Sequence, residues 1–557
     1  MKTSINRARL FTGLLVVSIA ALVISITLMA SVPPVSRDAL VHHLAVPKLY
    51  LKNGGIYEIP EMFFSYYPMN LQLLYMGALY FGSDIVPKFI HFGFALLTAW
   101  LIFRYLRQRI NRFYGLLGAL FFLSVPLIVK LSITVYVDLG LIFFSTASLL
   151  LLLEWVEKGL RIRFLALSAI MCGLAMGTKY NGLVTFLLLT LSVPFLYSRY
   201  RRDRGAVSLK AIKYCTVYSL IALLLFSPWM IRNYHWKRNP IYPLYDKWFN
   251  RPPHTEVLDK DMEDEEEARG IFTYRGVIYG EKWWEMALLP LRIFFQGRDG
   301  DPRRFDGKLN PFLLFFPVLA FFGARDEAPA VRREKAFLLA FSCLFFFLAF
   351  FSFDLRMRYI SPIIPPLVIL SMFGTRNLFR ALGRMENPMR RNTGIMIAGA
   401  ALVVSFLLNA LYIADEFKHV SPLKYLRGEL NRDEYIAKYR PEYPAVQYIN
   451  AHLPEDALVY FLFLGNRGYY SDRRYLLGEG FFAKAVREAK DPEAILMRLQ
   501  ERGITHLLLC DPIFQKWALG KFTSQERETL NGFLVGFTRV LFAAKGFVLL
   551  SIQGELG

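Results

Sequence analysis

The sequence predicts a mainly α-helical integral membrane protein with a C-terminal extracytoplasmic α/β domain. Three observations predict it. Apolar runs long enough to cross a bilayer recur from Leu10 to about residue 413. Hydrophobic residues make up 55% of the chain and aromatic residues 16%, at a mean hydropathy of +0.33; a soluble domain does not use that much apolar surface, whereas a lipid solvent demands it. From about Pro441 the pattern changes to short alternating helices and strands.

The elements follow in order. Leu10–Ala30 is uncharged and preceded by Lys2, Arg7 and Arg9, which reads as a first span rather than a cleaved signal, whose apolar core is shorter. Further spans are predicted at roughly 86–106, 113–131, 138–155, 163–178, 180–198, 211–229, 311–324, 335–353, 359–374 and 394–413, about eleven crossings in all. "MNLQLLYMGALYFG", Met69–Gly82, is short for a crossing and reads as an interfacial or re-entrant helix. In the tail, "AVQYINAHL" and "AILMRLQERG" have helical spacing, "ALVYFLFL" and "ITHLLLC" read as strands, and "RVLFAAKGFVLLSI" reads as a closing hairpin. The predicted division is 1–414 for the membrane domain, with outer loops 31–85 and 230–310, and 415–557 for the α/β domain.

The net charge of +21 would suggest a nucleic-acid partner in a soluble protein. Here the basic residues fall between apolar segments: Arg104, Arg107, Arg109 and Arg112; Arg199, Arg201, Arg202, Arg204, Lys210 and Lys213; Arg376, Arg380, Arg384, Arg390 and Arg391. That is the positive-inside pattern, so no nucleic acid is expected, and membrane lipids are the surroundings. It predicts a multi-pass protein of the cytoplasmic (inner) membrane, N-terminus inside, with the C-terminal domain on the periplasmic side. The four cysteines give neither a disulfide framework nor metal-type spacing. The acidic run "DKDMEDEEEA" in the 230–310 loop reads as a solvated loop.

On this topology charged groups collect at one rim. Asp38, His42 and His43 follow the first span in "SRDALVHHLAVPKLY"; Lys130 and Asp138 bracket a turn; Lys179 lies in "GTKYNG"; Asp354, Arg356, Arg358 and Tyr359 open "FDLRMRYISPIIPPL". A charge near the membrane centre costs about 3 kcal/mol, less at the edge. Snorkelling explains one such residue, but not both signs recurring on one side, which suggests a watery pocket for an anionic group. His42 and His43 are adjacent, so on an α-helix they point about 100° apart; this disfavours zinc ligation by them alone and favours a role in orienting substrate or Asp38.

The chain resembles the GT-C class of polytopic membrane glycosyltransferases, which includes protein O-mannosyltransferases and the bacterial lipid A aminoarabinose transferases. The stretches that carry the resemblance are, in order, "SRDALVHHLAVPKLYLKNGGI", "YYPMNLQLLYMGALYFG", "VYVDLGLIFFSTASLLLLLEW", "GLAMGTKYNG" and "RYISPIIPPL". The resemblance implies transfer of a sugar from a polyprenyl-phosphate donor to a lipid, glycan or protein acceptor, by a single inverting displacement. It implies Asp38 as catalytic base and Asp138 as a second acid that positions substrate or a divalent cation. It implies Lys179, Arg358 and Arg356 as donor-phosphate ligands; Tyr359, His42 and His43 are candidates for positioning substrate. Two departures stand against the named subfamilies: Tyr67 precedes Pro68 where the aminoarabinose transferases carry a lysine, and Asp38 is followed by Ala39 where the mannosyltransferases carry an acidic dyad. Rival readings are a lipid or glycan flippase, a glycan ligase, and an assembly protein or receptor that binds a partner through an exposed loop at "SDRRYLLGEG".

Overall fold

The computed structural model describes residues 2–201, 209–250, 271–322, 327–350 and 355–553. The acidic run and Asp354 lie outside these. The chain divides into two compact units. The first comprises Met1–Ser31, Tyr67–Leu74 and Val86–Pro422; the second comprises Val32–Tyr66, Tyr75–Ile85 and Leu423–Gly557. Residues 32–66 and 75–85, the flanks of the first loop, thus group with the C-terminal segment.

The first unit is helical. Among the described residues seven helices are long and apolar enough to cross a membrane: Arg9–Ala30, Val86–Arg109, Asp138–Glu157, Gly182–Tyr200, Leu209–Lys237, Met357–Gly383 and Pro388–Val420. An eighth arises if Arg112–Ser124 and Pro126–Ser132, bent by 67° against each other, form one span. The bend falls where it should, because Pro126 pushes Val125 out of the helical region, to φ −55° and ψ 128°.

By length and composition, fewer helices among the described residues pass as crossings than the about eleven expected. Ile162–Thr178 has 17 residues and Phe312–Leu319 only 8, about 26 and 12 Å of helix against a hydrocarbon core of about 30 Å. Pro329–Phe350 is long enough at 22 residues, but Arg332, Arg333, Glu334 and Lys335 shorten its apolar part. Asn70–Tyr80, at 11 residues, spans about 16 Å and is too short to cross, as expected.

In lipid, helices associate through small residues and hydrogen bonds rather than hydrophobicity. Gly173 shows the first: a Cβ there would lie 2.6 Å from the Ala222 carbonyl oxygen, so only glycine lets Ile162–Thr178 approach Leu209–Lys237 this closely. A buried network shows the second. Ser148 Oγ donates to the Ser168 carbonyl at 2.8 Å, Ser168 Oγ donates to the Ser148 carbonyl at 2.7 Å, and Tyr218 Oη lies 3.0 Å from Ser148 Oγ.

In the second unit a five-stranded sheet has the order β2-β1-β3-β5-β4. Its strands are β1 Leu458–Leu462, β2 Arg474–Leu477, β3 His506–Cys510, β4 Thr538–Ala544 and β5 Phe547–Ile552. β1 pairs in parallel with β2 and β3, whereas β5 runs antiparallel to β3 and β4. Both faces are covered. Leu458, Tyr460, Leu462, Leu507 and Leu509 pack with Phe482, Leu499 and Phe533 on one side. Val459, Phe461, Leu508 and Leu549 pack with Val446 and Ile449 on the other. The alternation has the strand period of two, and burial on both sides makes β1 read as one apolar run. Lys545 and Gly546, both at positive φ (52° and 80°), turn the closing hairpin. The "SDRRYLLGEG" stretch is not simply an exposed loop: it contributes the edge strand β2.

Gly173→Leu should lower stability by about 1–3 kcal/mol, the usual cost of overpacking. Thermal unfolding of the purified protein in detergent checks this; an unchanged midpoint would show that the two helices do not need their close approach.

Candidate functional site

In the membrane unit, Asp138 is the first residue of its helix. The positive end of the helix dipole lies there and favours a carboxylate. Lys179 follows Ile162–Thr178 in extended conformation, φ −162° and ψ 144°. Gly182 then starts the next helix, and a Cβ there would sit 2.5 Å from the Ala175 carbonyl, so glycine lets this tight turn close. The turn delivers Lys179 Nζ to Asp138 Oδ1 at 2.6 Å, with the Asp138 side chain 1% exposed. Asp138 Oδ2 is also buried and receives no hydrogen bond from the described residues.

A third element completes this centre. Met357–Ile363 is a 3-10 turn that leads into the Ile364–Gly383 helix. It carries Arg358 and Tyr359. The Lys179 ammonium lies 4.9 Å from the Tyr359 ring centroid, and Asn181 Nδ2 donates to the Tyr359 carbonyl at 3.3 Å. The buried Arg358 guanidinium packs on the rings of Tyr136 and Tyr359, at 5.1 and 5.5 Å. Asp138, Lys179, Arg358 and Tyr359, which the sequence singles out in three separate stretches, thus come together. Arg356 faces elsewhere, with its guanidinium 3.8 Å from Asp306. Lys130 pairs with Glu416 at 3.2 Å.

Two positions escaped sequence reasoning. His91, fully buried in Val86–Arg109, takes the backbone N–H of Leu139 on Nε2 at 2.9 Å. Its Nδ1 lies 2.9 Å from the Leu131 carbonyl and 3.0 Å from that of Thr134. Two carbonyls require a donor and one N–H requires an acceptor, so the ring is the neutral tautomer protonated on Nδ1. His91 therefore fixes the turn before Asp138 and the first helical residues after it. The second is Arg232, held between the rings of Trp229 and Trp236 at 4.7 and 4.9 Å. It donates to the Tyr67 carbonyl at 3.0 Å, beside the Tyr67–Pro68 step where the resemblance leads one to expect a lysine. Tyr67 packs edge-on against Tyr180 at 5.2 Å. Its hydroxyl is pushed up to about 12, by burial first and then by Tyr359. No spacing motif marks either residue; only a histidine or arginine in a greasy segment hints at them.

In the second unit Asp38 lies just before Ala39–His43, which is a π-turn rather than an α-helix, with Leu44 N–H donating to the Ala39 carbonyl at 2.9 Å. The 100° argument made from sequence therefore does not apply to His42 and His43. Their rings lie 4.0 Å apart, and ligand atoms of Asp38, His42 and His43 all fall within 4.8 Å of one another. The same unit holds a groove of about 1000 Å³ lined by Lys48, Lys52, Arg432, Asp84, Tyr80 and Tyr469, among others. Burial pulls the Lys48 ammonium below the usual lysine range, against the hydrogen bond from Lys48 to Asp472 at 2.8 Å.

Replacing His91 by Leu leaves one buried N–H and two carbonyls without this partner, at a cost of about 1–3 kcal/mol per group. A lowered unfolding midpoint for His91→Leu, partly restored in His91→Gln, is expected; equal midpoints for all three proteins would contradict the pinning role.

The sequence profile of the dolichyl-phosphate-mannose-protein mannosyltransferase family matches residues 74–231. Among curated proteins none matches the chain. Among solved structures, ArnT from Cupriavidus metallidurans in the apo state is similar at TM-score 0.57 and 14% identity, over 97% of this chain and 98% of that one. The same protein bound to undecaprenyl phosphate is similar at TM-score 0.57 and 13% identity, over the same shares of the two chains, 97% and 98%. The apo oligosaccharyltransferase from Archaeoglobus fulgidus matches at TM-score 0.52 and 11% identity, over 94% of this chain and 73% of that one. Along nearly the whole chain the fold is thus that of these membrane glycosyltransferases, and the family match falls within it at residues 74–231.

Proposed function

We propose that this glycosyltransferase moves one sugar from a polyprenyl-phosphate carrier to an acceptor hydroxyl on a lipid, glycan or protein, at the outer face of the cytoplasmic membrane. The observation that carries the reading is the buried cluster of Lys179, Arg358 and Asp138 at the ends of apolar helices. Two cations there suit a phosphate held at membrane depth by its lipid tail. The match to ArnT, solved with undecaprenyl phosphate, supports such a donor. The orientation follows from the basic loops, which belong on the cytoplasmic side.

The chemistry needs little else at the leaving group. A lipid phosphate departs as an anion without being protonated, so positive charge rather than a second acid lowers its barrier. Lys179 and Arg358 supply that charge, with Arg232 a further cation of the same unit. Tyr359 packs against both Lys179 and Arg358 and fixes their positions. Asp138 keeps the Lys179 ammonium aimed. The acceptor hydroxyl must lose its proton as the new bond forms, and Asp38, half-buried in the first loop, is the base. Attack opposite the departing phosphate inverts the anomeric carbon.

Asp38→Asn is expected to lower transfer by about 100-fold to 10,000-fold with membrane insertion intact. Product formation from purified variant and a lipid-linked donor measures this, and near-normal product refutes the assignment. Arg358→Ala should raise the KM for donor while leaving that for acceptor close to wild type; a defect confined to the acceptor would remove Arg358 from the phosphate site.

A further inference from the structure

We propose that Asp38, His42 and His43 form a binding site for one zinc-like divalent cation. Each offers one ligand atom, and those atoms lie within 4.8 Å of one another. Donors around a tetrahedral zinc ion stand about 3.4 Å apart, given bonds of about 2.0–2.2 Å. The spacing here exceeds that by at most about 1.4 Å.

The local fold favours the arrangement. Adjacent histidines on an α-helix diverge, but the wide turn of Ala39–His43 brings both imidazoles toward Asp38. The His42 ring is stacked on Phe64 at 4.5 Å and 23°, which fixes its plane. The backbone around the turn is held at three carbonyls: Pro34 accepts from Tyr470 Oη at 2.7 Å, Val35 from Arg440 Nε at 2.5 Å, and Leu40 from the Tyr469 N–H at 3.1 Å. Rigid support of this kind is what a metal site requires of its surroundings.

The donor set selects the metal. Two imidazoles and one carboxylate suit zinc, cobalt or ferrous iron and leave a coordination position open. Magnesium and calcium prefer shells of oxygen alone. If the proposed function holds, on which this last step rests, a cation held there would make the proton of a bound acceptor hydroxyl easier to remove, with the Asp38 carboxylate receiving it.

The test uses the full-length chain without a histidine tag, purified in detergent and stripped with a chelator. Cobalt(II) is titrated in and its visible absorption recorded; zinc is counted by mass spectrometry. One metal per chain is expected, with cobalt displaced by zinc and not by excess magnesium. His42→Ala and His43→Ala should each weaken binding about tenfold or more, whereas His452→Ala, at an exposed helix end, should not. Zinc should also raise the unfolding midpoint of the wild type and not that of the double variant, whose metal-free midpoint reports whether it folds. Equal metal binding by wild type and double variant, or displacement by magnesium, overturns the site. An inactive Asp38→Asn beside a double variant that transfers sugar normally without metal would sink the metal and keep the base. One tightly bound zinc beside a fully active Asp38→Asn would do the reverse.

Discussion

The pairing of Lys179 with Asp138 is the interaction on which the membrane-embedded centre depends. A buried ion pair is a weak source of stability, because desolvation offsets most of the Coulombic gain. Deleting one partner is far worse, since it leaves a lone buried charge, at about 3–5 kcal/mol. The pair is therefore costly to break and contributes little merely by existing. Its value lies in what it makes available: an ammonium fixed at the end of an apolar helix, and a carboxylate with one oxygen that accepts nothing from the described residues. On the proposed function, an incoming phosphate meets a cation already aimed, so little reorganisation opposes binding. The rest of the unit supports that arrangement. His91 sets the turn before Asp138, Gly182 closes the turn after Lys179, and the 3-10 segment brings in Arg358 and Tyr359.

The second unit solves a different problem. As a free loop, the segment that carries Asp38 would hold it in no fixed place. Its carbonyls are instead tied to Arg440, Tyr469 and Tyr470 of the C-terminal segment. The α/β sheet, covered on both faces, gives those anchors a rigid base. The α/β segment thus has a structural use that its sequence does not announce.

What the sequence disclosed follows from the physics of each signal. Long apolar helices are legible because lipid tolerates no other backbone there. Asp138, Lys179, Arg358 and Tyr359 were found because each charge or hydroxyl breaks or borders an apolar run. Fewer helices than expected pass as crossings among the described residues because hydropathy does not separate a short helix such as Phe312–Leu319 from a long one. His91 was missed because its partners lie 40 to 48 residues away. The His42–His43 geometry was misjudged because a π-turn has no sequence signature. Strand β2 was overlooked because its four residues are only partly buried at a sheet edge.

The central claim is that the membrane unit holds a lipid by its phosphate. Native mass spectrometry of the purified protein with polyprenyl phosphate and with the matching polyprenol tests it most directly. The account predicts one polyprenyl phosphate per chain, much weaker binding of the alcohol, and loss of that preference in Lys179→Ala. Equal binding of phosphate and alcohol, or an unchanged preference without Lys179, would contradict it.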